Sequence, residues 1–202
     1  PVQWKAESID ENTLEREREP QRQVWRIVPE SDRPSAPAWV VGAIVHEAIA
    51  ACHFPDDPQF DEWVVARSRA HGIADSRQLE RARQEARRLL GRFQGHHFYS
   101  EMLAADRRLH EVEYSIDSNG GVESGAIDVL YLKDDQWKVV EIKTDEVRKG
   151  QAPGDLKKYP RYLDQARRYG RAFRDLLGQE PEVHLCFLNA AGTVQVVKVE
   201  GF

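Results

Sequence analysis

The chain has 202 residues, 29 Lys and Arg against 34 Asp and Glu, and a formal net charge of −5. That length suits one domain with an extra arm, and the mildly acidic total argues against a generic polyanion binder while leaving room for a local basic groove. An apolar fraction of 41% with 31% charged residues is ordinary for a soluble globular protein, and the longest apolar run, Ala38 to Val45, falls far short of the roughly 20 residues of a membrane span.

Residues 1–36 read as an arm or linker. Glu11 to Arg22 is dense in both signs, and Pro29, Pro34 and Pro37 follow. Trp4 and Trp25 stand out there, since an exposed linker rarely keeps tryptophans. A domain is expected over 37–202. A helix begins near Pro37, with Val40, Val41, Ile44, Val45, Ala48 and Ile49 at helical spacing and His46 among them. A second helix covers Asp57 to His71. A third is capped by Asp75-Ser76 and runs to about Phe93, and a short one lies near Phe98–Ala105.

The period then changes to two. His110 to Asp117 alternates, Asn119-Gly120-Gly121 signals a hairpin, and Val122–Leu132 and Gln136–Thr144 follow as strands joined by a turn at Lys133–Asp135. A long helix runs from about Tyr159 to Leu177, tolerates Pro160 in its first turn and stops at Gly178. Val183–Leu188 and Val194–Val199 are the last two strands. Helices, then strands, then helix, then strands predict an α+β or α/β sandwich.

Cys52 and Cys186 make neither a CxxC pair nor a zinc spacing and read as buried thiols of a reducing compartment, which predicts a cytoplasmic location.

Chemistry concentrates in Gly125-Ala126-Ile127-Asp128 and Glu141-Ile142-Lys143. Side chains alternate along a strand, so Glu141 and Lys143 share one face while Ile142 enters the core. The tight turn between the strands lets Asp128 lie near Glu141. Two carboxylates and a lysine on adjacent strands suit metal-assisted phosphodiester cleavage, with the acids holding a hard divalent cation and the lysine orienting water or steadying negative charge. The same spacing also suits a plain cross-strand ion pair. By itself, His46 suits a packed or capping histidine as well as a ligand. Gln165 and Tyr169 are four apart on one helix face, which Tyr162 shares, and the tyrosines of that face equally suit packing on the sheet.

Gly125-x-x-Asp128 followed by Glu141-x-Lys143 resembles the PD-(D/E)XK nuclease signature. Gly42-Ala43-Ile44-Val45-His46-Glu47, Glu141-Ile142-Lys143-Thr144-Asp145 and Gln165-Ala166-Arg167-Arg168-Tyr169 resemble, in the same order, the helical, strand-end and Q-x-x-x-Y motifs of its RecB-like branch. The resemblance covers about Val40 to the C-terminus. It implies a restriction-endonuclease-like core with a central mixed sheet flanked by helices. It implies His46, Asp128, Glu141 and the Ile142 carbonyl as ligands of Mg²⁺ or Mn²⁺, Lys143 as the catalytic lysine, and Gln165 and Tyr169 beside it. Glu113 ranks lower: it stands on the strand before Asp128, as an acidic residue often does in this branch, but also suits a plain outward-facing strand carboxylate, and Glu47 reads as solvated rather than catalytic.

From Asp155 to Gly178 basic residues outnumber acidic ones: Lys157, Lys158, Arg161, Arg167, Arg168, Arg171 and Arg174 form a patch of the kind that phosphate contacts need, with Arg148 and Lys149 just before it. The third helix, with Arg77, Arg81, Arg83, Arg87, Arg88 and Arg92, is a second candidate. Two cysteines cannot hold the four-cysteine iron–sulfur cluster of some relatives, which directs the resemblance to the AddA/RecB type. There the nuclease domain follows a superfamily 1 helicase motor. No Walker A motif is present, and the chain starts without Met, as a domain cut from a longer protein would. The expectation is a DNA exonuclease domain acting on single-stranded or unwound DNA in recombination or repair. The alternative is a non-catalytic module of the same fold that binds DNA or a protein.

Overall fold

The helical spacing at the start of the fold produces α1 (Ala38–Ala51), whose six regularly spaced apolar residues from Val40 to Ile49 are all buried. The computed structural model describes residues 36–118, 121–147 and 158–201. The arm expected over 1–36 therefore lies outside the described residues up to position 35, and so do the turn residues Asn119 and Gly120 and the basic positions Arg148, Lys149 and Lys157. α1 ends at Cys52, whose left-handed φ of 57° turns the chain outward. Its thiol is exposed rather than buried as expected; Cys186 is the buried one.

α2 (Phe60–Ala70) begins later than Asp57. Asp57 precedes Pro58, and a proline ring crowds the residue before it out of helical geometry. The Asp57 carboxylate instead accepts the Gln59 N–H at 2.8 Å and meets the His53 ring at 2.9 Å. α3 (Ser76–Gln94) starts where Asp75 accepts the Gln78 N–H at 2.9 Å, a standard N-cap. α4 (His97–Leu103) completes the helical layer.

Five strands follow: β1 (Arg107–Ser118), β2 (Gly121–Lys133), β3 (Gln136–Lys143), β4 (Glu182–Ala190) and β5 (Thr193–Val199). Their order in the sheet is β1-β2-β3-β4-β5. The first three form an antiparallel meander, β3 and β4 run parallel, and β5 returns antiparallel, so the sheet is mixed. Asp134 and Asp135 both take left-handed φ, 51° and 60°, the geometry a two-residue hairpin demands. The parallel step needs a crossover, and α5 (Pro160–Leu177) supplies it, with Pro160 in its first turn and Gly178 closing it at φ 66°.

Both faces of the sheet are covered. Val129, Tyr131, Val140, Ile142, Cys186 and Leu188 pack under α1–α4. Ile127, Leu130, Val139, Val183, Leu185 and Phe187 pack under α5. Double coverage is why β3 and β4 read as nearly continuous apolar runs rather than clean alternation.

Candidate active site

Asp128 sits where β2 and β3 part. Val129↔Val140 is the last ladder pair at that end. Beyond it the Asp128 carboxylate, 9% exposed, takes over as acceptor, and the Ile142 N–H donates to its Oδ2 at 2.7 Å. Its Oδ1 lies 3.3 Å from His46 Nδ1, reaching in from α1. Ile142 buries its side chain in the core under α1–α4.

Glu141 is 1% exposed. One of its oxygens pairs with Lys143 Nζ, while Oε2 is buried with no hydrogen-bond partner. Burial first, and then the Asp128 charge, push its pKa up to about 7 against the pull of Lys143 and His46. Burial alone would lower the His46 pKa. The hydrogen bond that His46 donates to Asp128, with the charges of Asp128, Glu141 and Glu111, outweighs it, and the pKa is raised. The cluster is short of positive charge at its centre.

Glu111 was not singled out by sequence reading, which named Glu113 as a lesser candidate. Both residues are exposed, and it is Glu111 that stands with His46 and Asp128. Glu111 has φ 48°, an uncommon conformation for a non-glycine residue within a strand. His46, Glu111 and Asp128 each place one ligand atom within 4.8 Å of the others. Alternation puts positions 111 and 113 on one face, but only the kink decides which of them reaches His46, and no pattern in the sequence announces it.

From the other face, α5 closes on Lys143. Gln165 Oε1 accepts from Lys143 Nζ at 3.0 Å, and Gln165 Nε2 donates to the Tyr169 hydroxyl at 2.7 Å. Lys143 Nζ also lies over the Tyr162 ring, 4.7 Å from its centroid, and Tyr162 donates to Asp145 at 2.5 Å. Tyr169 is buried with its ring edge-to-face on Tyr114 at 5.8 Å. On this helix face the Tyr169 ring packs while Gln165 contacts the lysine.

Two glycines stand at close approaches. A Cβ at Gly42 would lie 3.2 Å from Thr144 Oγ1, so a side chain there would press on that hydroxyl where α1 meets the end of β3. Gly125 faces Tyr114 across the β1–β2 ladder, and a Cβ there would lie 2.8 Å from its hydroxyl and 2.9 Å from its ring. Gly125→Ala is expected to displace that ring and, as overpacking does, to cost about 1–3 kcal/mol. Calorimetry should then show a melting temperature lowered by roughly 2–10 °C for a chain of this size. An unchanged melting temperature would show that Tyr114 moves freely.

Other expectations needed revision. Glu47 is half-buried and ion-paired rather than simply solvated. It accepts from Arg67 Nε and meets His71 Nε2 at 2.9 Å, tying α1 to α2. The arginines of α3 are largely committed to the fold: Arg83 and Arg87 grip Asp61, Arg88 pairs with Glu85, and Arg88 and Arg92 both donate to Asn189 Oδ1. A groove of about 750 Å³, lined by Val41, Arg81, Arg88, Thr144 and Asn189 among others, lies beside the cluster rather than over it. On α5, Asp164, Arg167, Arg168 and Arg171 share one face and line a smaller hollow.

The residues present fit a divalent cation. His46, Glu111 and Asp128 bring two carboxylates and one imidazole within reach of a single ion, and Glu141, outside that trio, adds a buried Oε2 lacking any donor. A mixed sheet between two helical layers, with a carboxylate cluster and a lysine at the strand junction, has the restriction-endonuclease-like fold. The sequence profile of the PD-(D/E)XK nuclease superfamily matches residues 15–200, and the chain belongs to that superfamily. No curated protein matches the chain. Among solved structures, an inferred exonuclease from Eubacterium rectale superposes with a TM-score of 0.56 at 12% identity, over 84% of this chain and 61% of that one. The chain thus spans about three-fifths of that protein's length, and the likeness is one of fold. Protein VC1899 of Vibrio cholerae overlaps with a TM-score of 0.32 at 12% identity, over 75% of this chain and 47% of that one, too little to define a common fold. No helix among the described residues is long and apolar enough to cross a membrane.

Proposed function

We propose that this chain is a RecB/AddA-like DNA nuclease domain of the cytoplasm, degrading single-stranded or unwound DNA from its ends in recombination or repair, with a superfamily 1 helicase motor in the same chain or complex. The observation that carries the nuclease reading is the buried, partnerless Glu141 Oε2 beside His46, Asp128 and Lys143. A carboxylate so placed is costly unless a cation completes it. His46, Asp128, Glu141 and the Ile142 carbonyl would hold Mg²⁺ or Mn²⁺, with Glu111 as a further carboxylate. When bound, such an ion polarises the phosphodiester and lowers the pKa of a water.

The chain's own residues do the rest. The hydrogen bond from Ile142 fixes Asp128, and the pairing with Lys143 fixes one Glu141 oxygen, leaving the other buried without a hydrogen-bond partner. Gln165 and the Tyr162 ring hold the Lys143 ammonium, so it meets negative charge developing on phosphate without reorganising. Tyr169 positions Gln165. Arg161, Arg167 and Arg171 on α5, with Lys158 before it, supply positive charge for the phosphate backbone. The test is incubation of the protein with end-labelled single-stranded and duplex DNA in Mg²⁺ or Mn²⁺, with EDTA as control. Metal-dependent release of short products is expected. Absence of cleavage of every DNA form, with binding retained, would leave a non-catalytic module.

A further inference from the structure

Trp39 is 51% exposed, although tryptophan is highly buried on average. It lies on α1 seven positions before His46. Seven residues are almost two whole helical turns, so both side chains leave the same side of α1, about 10 Å apart along its axis. Ala43, on that side between them, carries only a methyl group.

The indole also has an aromatic neighbour. It makes an edge contact with His71, with ring centroids 6.0 Å apart. His71 is fixed by Glu47 at 2.9 Å, and Glu47 is fixed in turn by Arg67. A rigid aromatic surface costs little ordering entropy when a flat ligand settles on it. An unpaired base supplies such a surface whatever its identity, whereas a base inside a duplex is already stacked.

On the nucleic-acid reading of the neighbouring site, we infer that Trp39 is a stacking platform for an unpaired nucleobase of the substrate strand, one step along α1 from the scissile phosphate. It makes the site selective for single-stranded over duplex DNA and independent of sequence. The residue touches substrate but takes no part in the chemistry at phosphorus.

The test is binding of a fluorescent oligo(dT) strand, followed by anisotropy with Ca²⁺ in place of Mg²⁺, for wild type, Trp39→Ala and Trp39→Phe. Trp39→Ala is expected to weaken binding about 5- to 100-fold, the range for losing one base–aromatic stack. Trp39→Phe is expected to keep most of the affinity, and both variants to melt at the wild-type temperature, since the side chain is half exposed. A strand of equal length without bases should bind wild type and Trp39→Ala alike. Hydrolysis of a small activated phosphodiester should be the same in both. Wild-type affinity of Trp39→Ala for oligo(dT), or a loss that persists on the baseless strand, would overturn the inference and point to a protein partner at this face. If wild type hydrolyses neither substrate, the nuclease reading fails, while the binding comparison still decides the role of Trp39.

Discussion

Lys143→Ala should reduce metal-dependent DNA cleavage by at least about 10²- to 10³-fold, the loss typical when one preorganised stabiliser of transition-state charge is removed. The ammonium touches Glu141, Gln165 and the Tyr162 ring, and no other described cation is recorded in contact with Glu141. The fold should survive. Glu141 loses its counter-charge, but its pKa already stands at about 7, pushed up by burial and by Asp128. Without Lys143 it rises further, so the side chain is protonated at neutral pH and no bare charge is left inside the sheet. Circular dichroism and end-labelled cleavage assays measure the two halves of this prediction. Retained Mg²⁺-dependent cleavage would remove Lys143 from the catalytic role.

The second large effect concerns the cation itself. At a free Mn²⁺ concentration 100 times its Kd, wild type should gain about 2.7 kcal/mol, because the ion binds the folded state alone. For a chain of this size that is a rise in melting temperature of roughly 5–10 °C. In Asp128→Asn the amide oxygen can still accept the Ile142 N–H, so the strand junction is kept. The negative charge next to His46 is gone, and the Mn²⁺-induced rise should fall below about 2 °C, with cleavage lost. A full thermal shift in this variant, read by calorimetry, would show that the ion is held elsewhere.

Much of the architecture was legible because local patterns and global packing agree. The apolar stripe of α1, the Asp75 cap, the aspartate turn before β3, Pro160 in the first turn of α5 and Gly178 after it each act within a few residues of themselves. The element edges that moved did so for local reasons too, as with Asp57 before Pro58. Cys52 was misjudged because exposure at a helix end depends on the direction in which the chain leaves it. The α3 arginines were misjudged because ion pairs with Asp61 on α2 and hydrogen bonds to Asn189 on β4 join segments far apart in sequence.

The types and order of the elements and the residue kinds at the strand junction follow from local patterns, since alternation and helical period are properties of neighbouring residues. Gly42 and Gly125 also stand beside the motifs, with no local sign of what approaches them. Long-range packing was needed to set Asp128 as acceptor for the Ile142 N–H, to bring Glu111 rather than Glu113 to His46, and to bury one Glu141 oxygen without a donor. Those facts depend on a kinked strand, two strands that part and two helices closing from opposite faces, and such distances are set by packing between segments that no local spacing encodes.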